Sequence, residues 1–278
     1  NMGGPITSNY FEQEITFQYS DIVVLISKAE KQHYISFGYD KYESTPYVIY
    51  NSYKPKLDHK SWRPNYELND IGYIGRHVPR KRPDLPIFAL EKSGRKDVRV
   101  FNMGVDYRGE QGNPFWEDLG RKHPKKLVII PFSSNKETAR FYWNSVCANS
   151  ITGIYEPFGY TMCETLDRRV PAIVQNIDGP SEITANVLDS VFVYEVDQDF
   201  DKDVDNFLVA TNNFWDTHAD DRRAMAEHAR TALDDFRPEV IKLKWKDILL
   251  NEQPRKITGL ATDQETQKTT KGYGGYGN

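Results

Sequence analysis

The sequence predicts an α/β fold in which a parallel sheet carries helices on both faces. Two observations predict it. Continuous runs of Val, Ile and Leu bounded by polar residues recur along the chain, as in strands buried on both faces. Stretches of helical periodicity separate these runs, and strands alternating with helices imply βαβ units. At 278 residues the chain has room for one large domain or two small ones.

The elements follow in order. Residues 9–19 read as a helix, with Phe11, Ile15 and Tyr19 spaced four apart on one face. The apolar run in 21–27 reads as a strand buried on both sides, and 28–36 as a helix ended by Gly38. Residues 47–50 read as a short strand, and 51–69, with Pro55 and Pro64, as a linker. A second set opens with a strand at 71–75 running into a glycine turn. Next come a helix at 83–93, a strand at 97–103 ending at Gly104, a helix at 113–122 and a strand at 127–130. A helix at 135–148, a strand at 151–154, a helix at 159–168 and strands at 172–174 and 191–194 follow. Residues 203–212 and 220–235 read as helices, and Pro238 opens a terminal helix over 239–250. Beyond Glu252 the composition turns to Gln, Thr, Lys and Gly, which cannot bury a core and predicts disorder.

Composition narrows the function. The net charge is −4, so a nucleic-acid or anionic-membrane partner would need a local basic patch. No apolar run approaches the roughly 18 residues of a membrane span, and the first residues lack the zones of a signal peptide. Cys147 and Cys163 cannot build a disulfide framework or a cysteine-rich zinc site. The expected location is cytoplasmic. The six histidines show no metal spacing; His77, next to Arg76, reads either as near a bound ligand or, as is usual for a loop histidine, as exposed.

The strongest signal is Tyr155-Glu-Pro-Phe-Gly-Tyr-Thr-Met-Cys-Glu164. Glu156 and Glu164 bracket a turn made by Pro157 and Gly159, and a helix starts just after it. A helix start preceded by glycine offers unpaired backbone N–H groups and the positive end of a dipole, which suits phosphate. Glu156 precedes the turn and can reach a sugar hydroxyl, whereas Glu164 lies a turn inside the helix and can accept from a ribose. Two glutamates at this spacing alone read as a surface acidic pair; the whole string with Pro-Phe-Gly is far more specific.

This string resembles the Glu-x7-Glu element of the retaining GT-B glycosyltransferases, the large family 4 group. Its surroundings resemble the family too: Tyr73-Ile-Gly-Arg-His-Val-Pro-Arg-Lys81 is similar to a Gly-Arg-x4-Lys element, and Asp178-Gly-Pro-Ser-Glu-Ile183 to a Gly-Gly-x-x-Glu-Ile turn. The likeness covers roughly residues 9–250. It implies a Rossmann-like donor domain and transfer of a sugar from a nucleoside-diphosphate sugar to a hydroxyl, without a metal or other cofactor. It assigns Arg76 and Lys81 to the diphosphate as catalytic cations, after Gly75, since two fixed cations stabilise the charge that a leaving diphosphate gains. It places Gly159, Tyr160 and Thr161 at the phosphate, Glu156 at the transferred sugar, Glu164 at the ribose and Phe132 near the base. Phe132 reads equally as core, and Arg80, Lys81 and Arg82 equally as a solvated basic run.

The resemblance implies a division into an acceptor-side segment and linker over 1–69, a donor domain over 70–235, a helix over 236–252 that returns toward the N-terminal side, and a tail over 253–278. The family's first domain is abbreviated here, which implies a short N-terminal region, a fragment, or a second subunit or homodimer completing the sheet. The acceptor stays open among glycans, lipids, proteins, small alcohols and a hydroxylated DNA base. A nucleotide-sugar-binding subunit without catalysis of its own is the alternative.

Overall fold

The computed structural model describes residues 10–42, 46–55, 64–106, 114–131, 136–197 and 199–251. The N-terminal part comprises α1 (Tyr10–Tyr19), β1 (Val23–Leu25), α2 (Lys28–Ser36) and β2 (Pro46–Val48). It leads to β3 (Ile71–His77), α3 (Leu85–Ser93), β4 (Val100–Asp106), α4 (Pro114–Lys122) and β5 (Leu127–Pro131). The chain then forms α5 (Lys136–Ser145), β6 (Ala148–Ile151), α6 (Tyr160–Asp167), β7 (Ala172–Gln175), α7 (Asp178–Thr184) and β8 (Phe192–Tyr194). Three further helices close it: α8 (Phe200–Asp216), α9 (Ala219–Ala229) and α10 (Pro238–Asn251).

Six parallel strands form the main sheet in the order β5-β4-β3-β6-β7-β8. The chain runs outward from β3 to β5, returns to β6 on the other side of β3, and runs outward again. Strand order therefore reverses between β3 and β6, and the crevice beyond their carboxyl ends is where open α/β sheets bind ligands. Side chains alternate across the sheet. Val100 and Ile173 join Leu85, Leu90, Trp116 and Phe207 on the face covered by α3, α4 and α8. On the other face Phe101 and Met103 pack against Tyr142 and Trp143 of α5, and Ala172 and Val174 against Met162 and Leu166 of α6. Leu85 and Leu90 are fully buried, and such a side chain contributes about 1.5–3 kcal/mol relative to an exposed one.

β1 and β2 pair in parallel as a separate small sheet, with Val23 opposite Pro46. Ile241 and Ile248 of α10 pack on it through Ile22, Val24 and Ile49. Helix α2 starts because Ser27 and Glu30 form a reciprocal cap: the Ser27 hydroxyl accepts the Glu30 N–H at 3.1 Å, and the Glu30 carboxylate accepts the Ile26 N–H at 3.1 Å. It ends before Gly38, which takes a left-handed φ of 73°. The 64–69 part of the expected linker is anchored rather than loose. The buried guanidinium of Arg222 donates to the carbonyls of Tyr66 and Leu68, to Asn69, and to the carbonyls of Phe214 and Trp215 at 2.8–3.1 Å.

Several expectations need correction. The strand expected at 151–154 is β6, three residues earlier, and the preceding helix stops at Ser145. Asn149 and Ser150 are buried inside that strand, so it does not read as an apolar run. Their polar atoms are satisfied by Tyr142, Thr165 and the Gly72 carbonyl. The segment resembling a turn at 178–183 is helix α7. Strand β4 begins at Val100 rather than Asp97, and α8 outruns its expected bounds at both ends. Ile15 and Tyr19 are exposed, and Phe17 of α1 packs on Tyr34 and Tyr39. In β1 only Val23 is buried, its two neighbours being half-buried. Phe132 and the tail over 253–278 lie outside the described residues. Among the described residues no helix is long and apolar enough to cross a membrane.

Candidate functional site

The segments leaving β3 and β6, neighbours in the sheet, are held against each other beyond the strand ends. After β3 the chain makes a 3-10 turn over Pro79–Lys81 and closes it with Arg82 in a left-handed conformation at φ 42°. A non-glycine residue holds that geometry only when its surroundings fix it. Here the Arg82 guanidinium pairs with the fully buried carboxylate of Asp203 on α8. The turn is tied to the chain leaving β6 at three points. Arg80 accepts the Ile154 N–H at 2.8 Å, the Lys81 carbonyl accepts the Thr152 hydroxyl at 2.7 Å, and the Arg80 guanidinium reaches the Tyr155 carbonyl at 3.4 Å.

These ties bring Lys81 and Glu156 together as an ion pair, 75 positions apart in sequence. Both side chains are largely shielded, with 16% and 21% of their surface exposed. Burial lowers the Lys81 pKa below the ordinary lysine range; the Glu156 carboxylate opposes the shift, and Arg80 and Arg76 add to it. Arg76 is exposed at the end of β3, and its carbonyl accepts the hydroxyl of the buried Tyr73 at 2.9 Å.

Beyond Glu156 the chain turns at Gly159, φ 101°, into α6, so the residue at that helix start is a glycine with no side chain to cap it. The first amides of a helix have no carbonyl partner within it, and the dipole favours an anion there. A Cβ on Gly159 would lie 3.6 Å from Cγ of Glu156 and 3.2 Å from Pro180. The helix is fixed from below: Asn149 donates to the Thr165 hydroxyl at 2.8 Å, which donates to the Thr161 carbonyl at 2.7 Å. Tyr160 is 52% exposed at the mouth. Glu164 is half-buried one turn in, and its carbonyl accepts from the Arg168 backbone and guanidinium at 3.3 and 3.0 Å.

Of the residues singled out in the sequence, Lys81, Glu156 and Gly159 are placed in contact or next to it, with Tyr160, Thr161 and Glu164 on the adjoining helix. Gly75 and Arg76 stand at the β3 end of the same crevice. Other members were not foreseen. Asp178, at φ 51°, accepts the Glu156 N–H at 3.1 Å and lies 3.9 Å from His33. Burial pushes its carboxyl pKa up, while the Glu156 backbone hydrogen bond and His33 hold it down. Tyr155 donates to Glu30 at 3.2 Å, and burial followed by the Glu30 charge raises its pKa. His77 is buried rather than exposed: its ring stacks 4.5 Å from Trp116 and its Nε2 meets Asn102 at 2.6 Å. Asn102 also donates to the Pro83 carbonyl at 2.9 Å, so one β4 side chain holds both ends of the Lys81 turn. Among the described residues no group of three or more His, Cys, Asp or Glu converges to hold a metal ion.

The family model described as "Glycosyl transferases group 1" matches residues 56–231. No curated protein matches the chain. Among solved structures, a variant of S. aureus TarM in complex with fondaparinux, alpha-GlcNAc-glycerol and UDP is similar at 17% identity and TM-score 0.67, over 91% of this chain and 48% of that one. HepE of Anabaena in complex with UDP and glucose is similar at 16% identity and TM-score 0.67, over 86% of this chain and 65% of that one. The pneumococcal O-GlcNAc transferase GtfA in complex with UDP and GlcNAc gives 13% identity and TM-score 0.66, over 88% and 48%. This chain thus spans about half the length of TarM and GtfA. At these identities the likeness establishes the fold, a parallel sheet flanked by helices as in GT-B proteins.

Proposed function

The chain belongs to the group 1 glycosyl transferases, and from that premise we propose that it moves a sugar from a nucleoside-diphosphate sugar to a hydroxyl acceptor with retention of anomeric configuration. The observation that carries this reading is the Lys81–Glu156 pair at the strand-order reversal, beside the start of α6 at Gly159. A cation, a carboxylate and a row of amides meet there, as a diphosphate joined to a sugar requires.

The roles follow from the charge that develops. As the glycosidic bond breaks, electrons pass to the diphosphate oxygen and the sugar ring takes on oxocarbenium character. Lys81 and Arg76 stabilise the leaving diphosphate, aided by the amides of Tyr160 and Thr161 at the Gly159 turn. Glu156, released from Lys81 when phosphate takes that cation, turns to the sugar hydroxyls, and Glu164 accepts from the ribose. The acceptor hydroxyl then attacks the face the diphosphate has left, and its proton passes to the departing diphosphate oxygen as its own oxygen bonds to the sugar. Protein cations supply the charge that a divalent metal supplies elsewhere. Residues 70–235 act as the donor domain and 1–69 as part of the acceptor side.

The test is a thermal-shift panel of UDP-glucose, UDP-GlcNAc, GDP-mannose and ADP-glucose, followed by transfer assays with the preferred donor. The UDP sugars come first because the TarM, HepE and GtfA structures contain UDP. A donor at 100 times its Kd stabilises the fold by about 2.7 kcal/mol, a readily visible shift. Lys81→Ala is expected to lower kcat/KM by about two orders of magnitude or more, the loss seen when one preorganised donor is removed. Donor binding without transfer or hydrolysis would favour a binding module instead.

A further inference from the structure

We propose that Asp178 and Glu182, one helical turn apart on α7, are positioning residues that clamp α2 over the donor loop and thereby set Glu156 for transfer; the proposal rests on the reading of the site given above. Glu182 takes both leading amides of α2, Lys28 N–H at 2.9 Å and Ala29 N–H at 2.7 Å, and also the Tyr50 hydroxyl at 2.6 Å. A carboxylate at a helix start meets unpaired amides and the positive dipole end, a charge-assisted contact of high directionality. Asp178, at the other end of α7, accepts the Glu156 N–H at 3.1 Å and faces His33 of α2 across 3.9 Å.

One short helix therefore holds the donor loop at its first residue and α2 at its fifth. It has little freedom to slip between them. The Gly179 N–H donates to the Glu156 carbonyl at 3.0 Å, and a Cβ on Gly179 would come within 2.4 Å of the Phe158 carbonyl oxygen. The far side is tied as well, since Tyr155, the neighbour of Glu156, donates to Glu30 of α2 at 3.2 Å. A displacement of α2 is thus passed through α7 to the backbone of Glu156. The uncommon backbone of Asp178, φ 51°, persists because its carboxylate is used on both sides.

The experiment uses Glu182→Ala and Glu182→Gln in the full chain, with three readouts. The leading amides of a helix have no partner within it, so Glu182 is what protects Lys28 and Ala29 from hydrogen exchange. Glu182→Ala is expected to speed their exchange and to lower kcat, each by about tenfold or more, while UDP binds within about twofold of the parent. Glu182→Gln, whose amide oxygen keeps one acceptor, falls between. Unchanged exchange at Lys28 and Ala29, or a kcat that survives in Glu182→Ala, overturns the proposal while leaving the glycosyl transfer reading intact. UDP affinity falling together with kcat in both variants also overturns it, because the effect is then one of folding. A parent chain that transfers no sugar from any donor overturns the reading of the site and this proposal with it.

Discussion

Lys81 is a cation kept where burial works against its charge, and that conflict makes it readable by pH. Its pKa is lowered, so the ammonium is lost at a pH below that at which an ordinary lysine deprotonates. If the charge is what stabilises the leaving group, kcat/KM falls on the alkaline side earlier than an unperturbed lysine would make it fall. Lys81→Arg keeps a cation that does not titrate in this range, and it is expected to move that limb upward at reduced kcat. A limb that stays in place belongs to another group. The two glutamates separate in a different way. On the proposed reading Glu164 acts on the ribose before and during reaction, so Glu164→Ala is expected to raise donor KM and weaken UDP. On the same reading Glu156 acts on a ring whose charge changes, so Glu156→Ala is expected to lower kcat and leave UDP nearly as tight. A hydrogen bond to a charged group is worth about 1.5–3 kcal/mol, so each effect is roughly ten- to a hundredfold. Equal UDP affinity in the parent and both variants removes the ribose role from Glu164.

The site depends on how closely α7 approaches the loop before α6. A Cβ on Gly179 would sit 2.4–2.6 Å from backbone atoms of Pro157 and Phe158, and backbone cannot yield as a side chain can. Gly179→Ala is expected to cost about 1–3 kcal/mol, measured as a fall in the urea midpoint, with a loss of donor binding. How far the sequence discloses such elements depends on chemistry. The helix after Glu156 is legible because Pro157 and Gly159 force a turn and Glu164 lies one turn beyond. Strand β6 is less so, since Asn149 and Ser150 are polar yet fully satisfied by groups distant in sequence. His77 is misread because β3 runs two residues beyond its glycine, into contact with Trp116 and Asn102. Asp178 escapes notice because its partners, the Glu156 amide and His33, come from other elements. Local pattern reports capping, turns and periodicity; it does not report which loops the sheet order will bring together.

At the scale of the whole molecule, Arg222 joins the segment before β3 to the carboxyl end of α8. It is 4% exposed, and its guanidinium lies 4.2 Å from the Phe214 ring centroid. Arg222→Met preserves much of the volume but leaves buried carbonyls without donors. The expected loss is about 3–5 kcal/mol, from several unsatisfied groups at about 1–3 kcal/mol each, read as a shift in the urea midpoint at unchanged slope. Strand β3 has a consequence of another kind, for the order of events when the chain refolds. Its partner on one side is β4, with Ile71 opposite Val100, and on the other β6, with Ile71 opposite Ala148. Closing the second pairing spans the longer stretch of chain and carries the larger loop entropy. Lys81 and Glu156 meet across that later closure, so on the proposed reading a refolding chain is expected to gain affinity for UDP with the slower seam. In a stopped-flow experiment, nucleotide competence would then lag behind the return of helical signal from the β3–α3–β4 unit, and the crevice would be the last part of the sheet to mature.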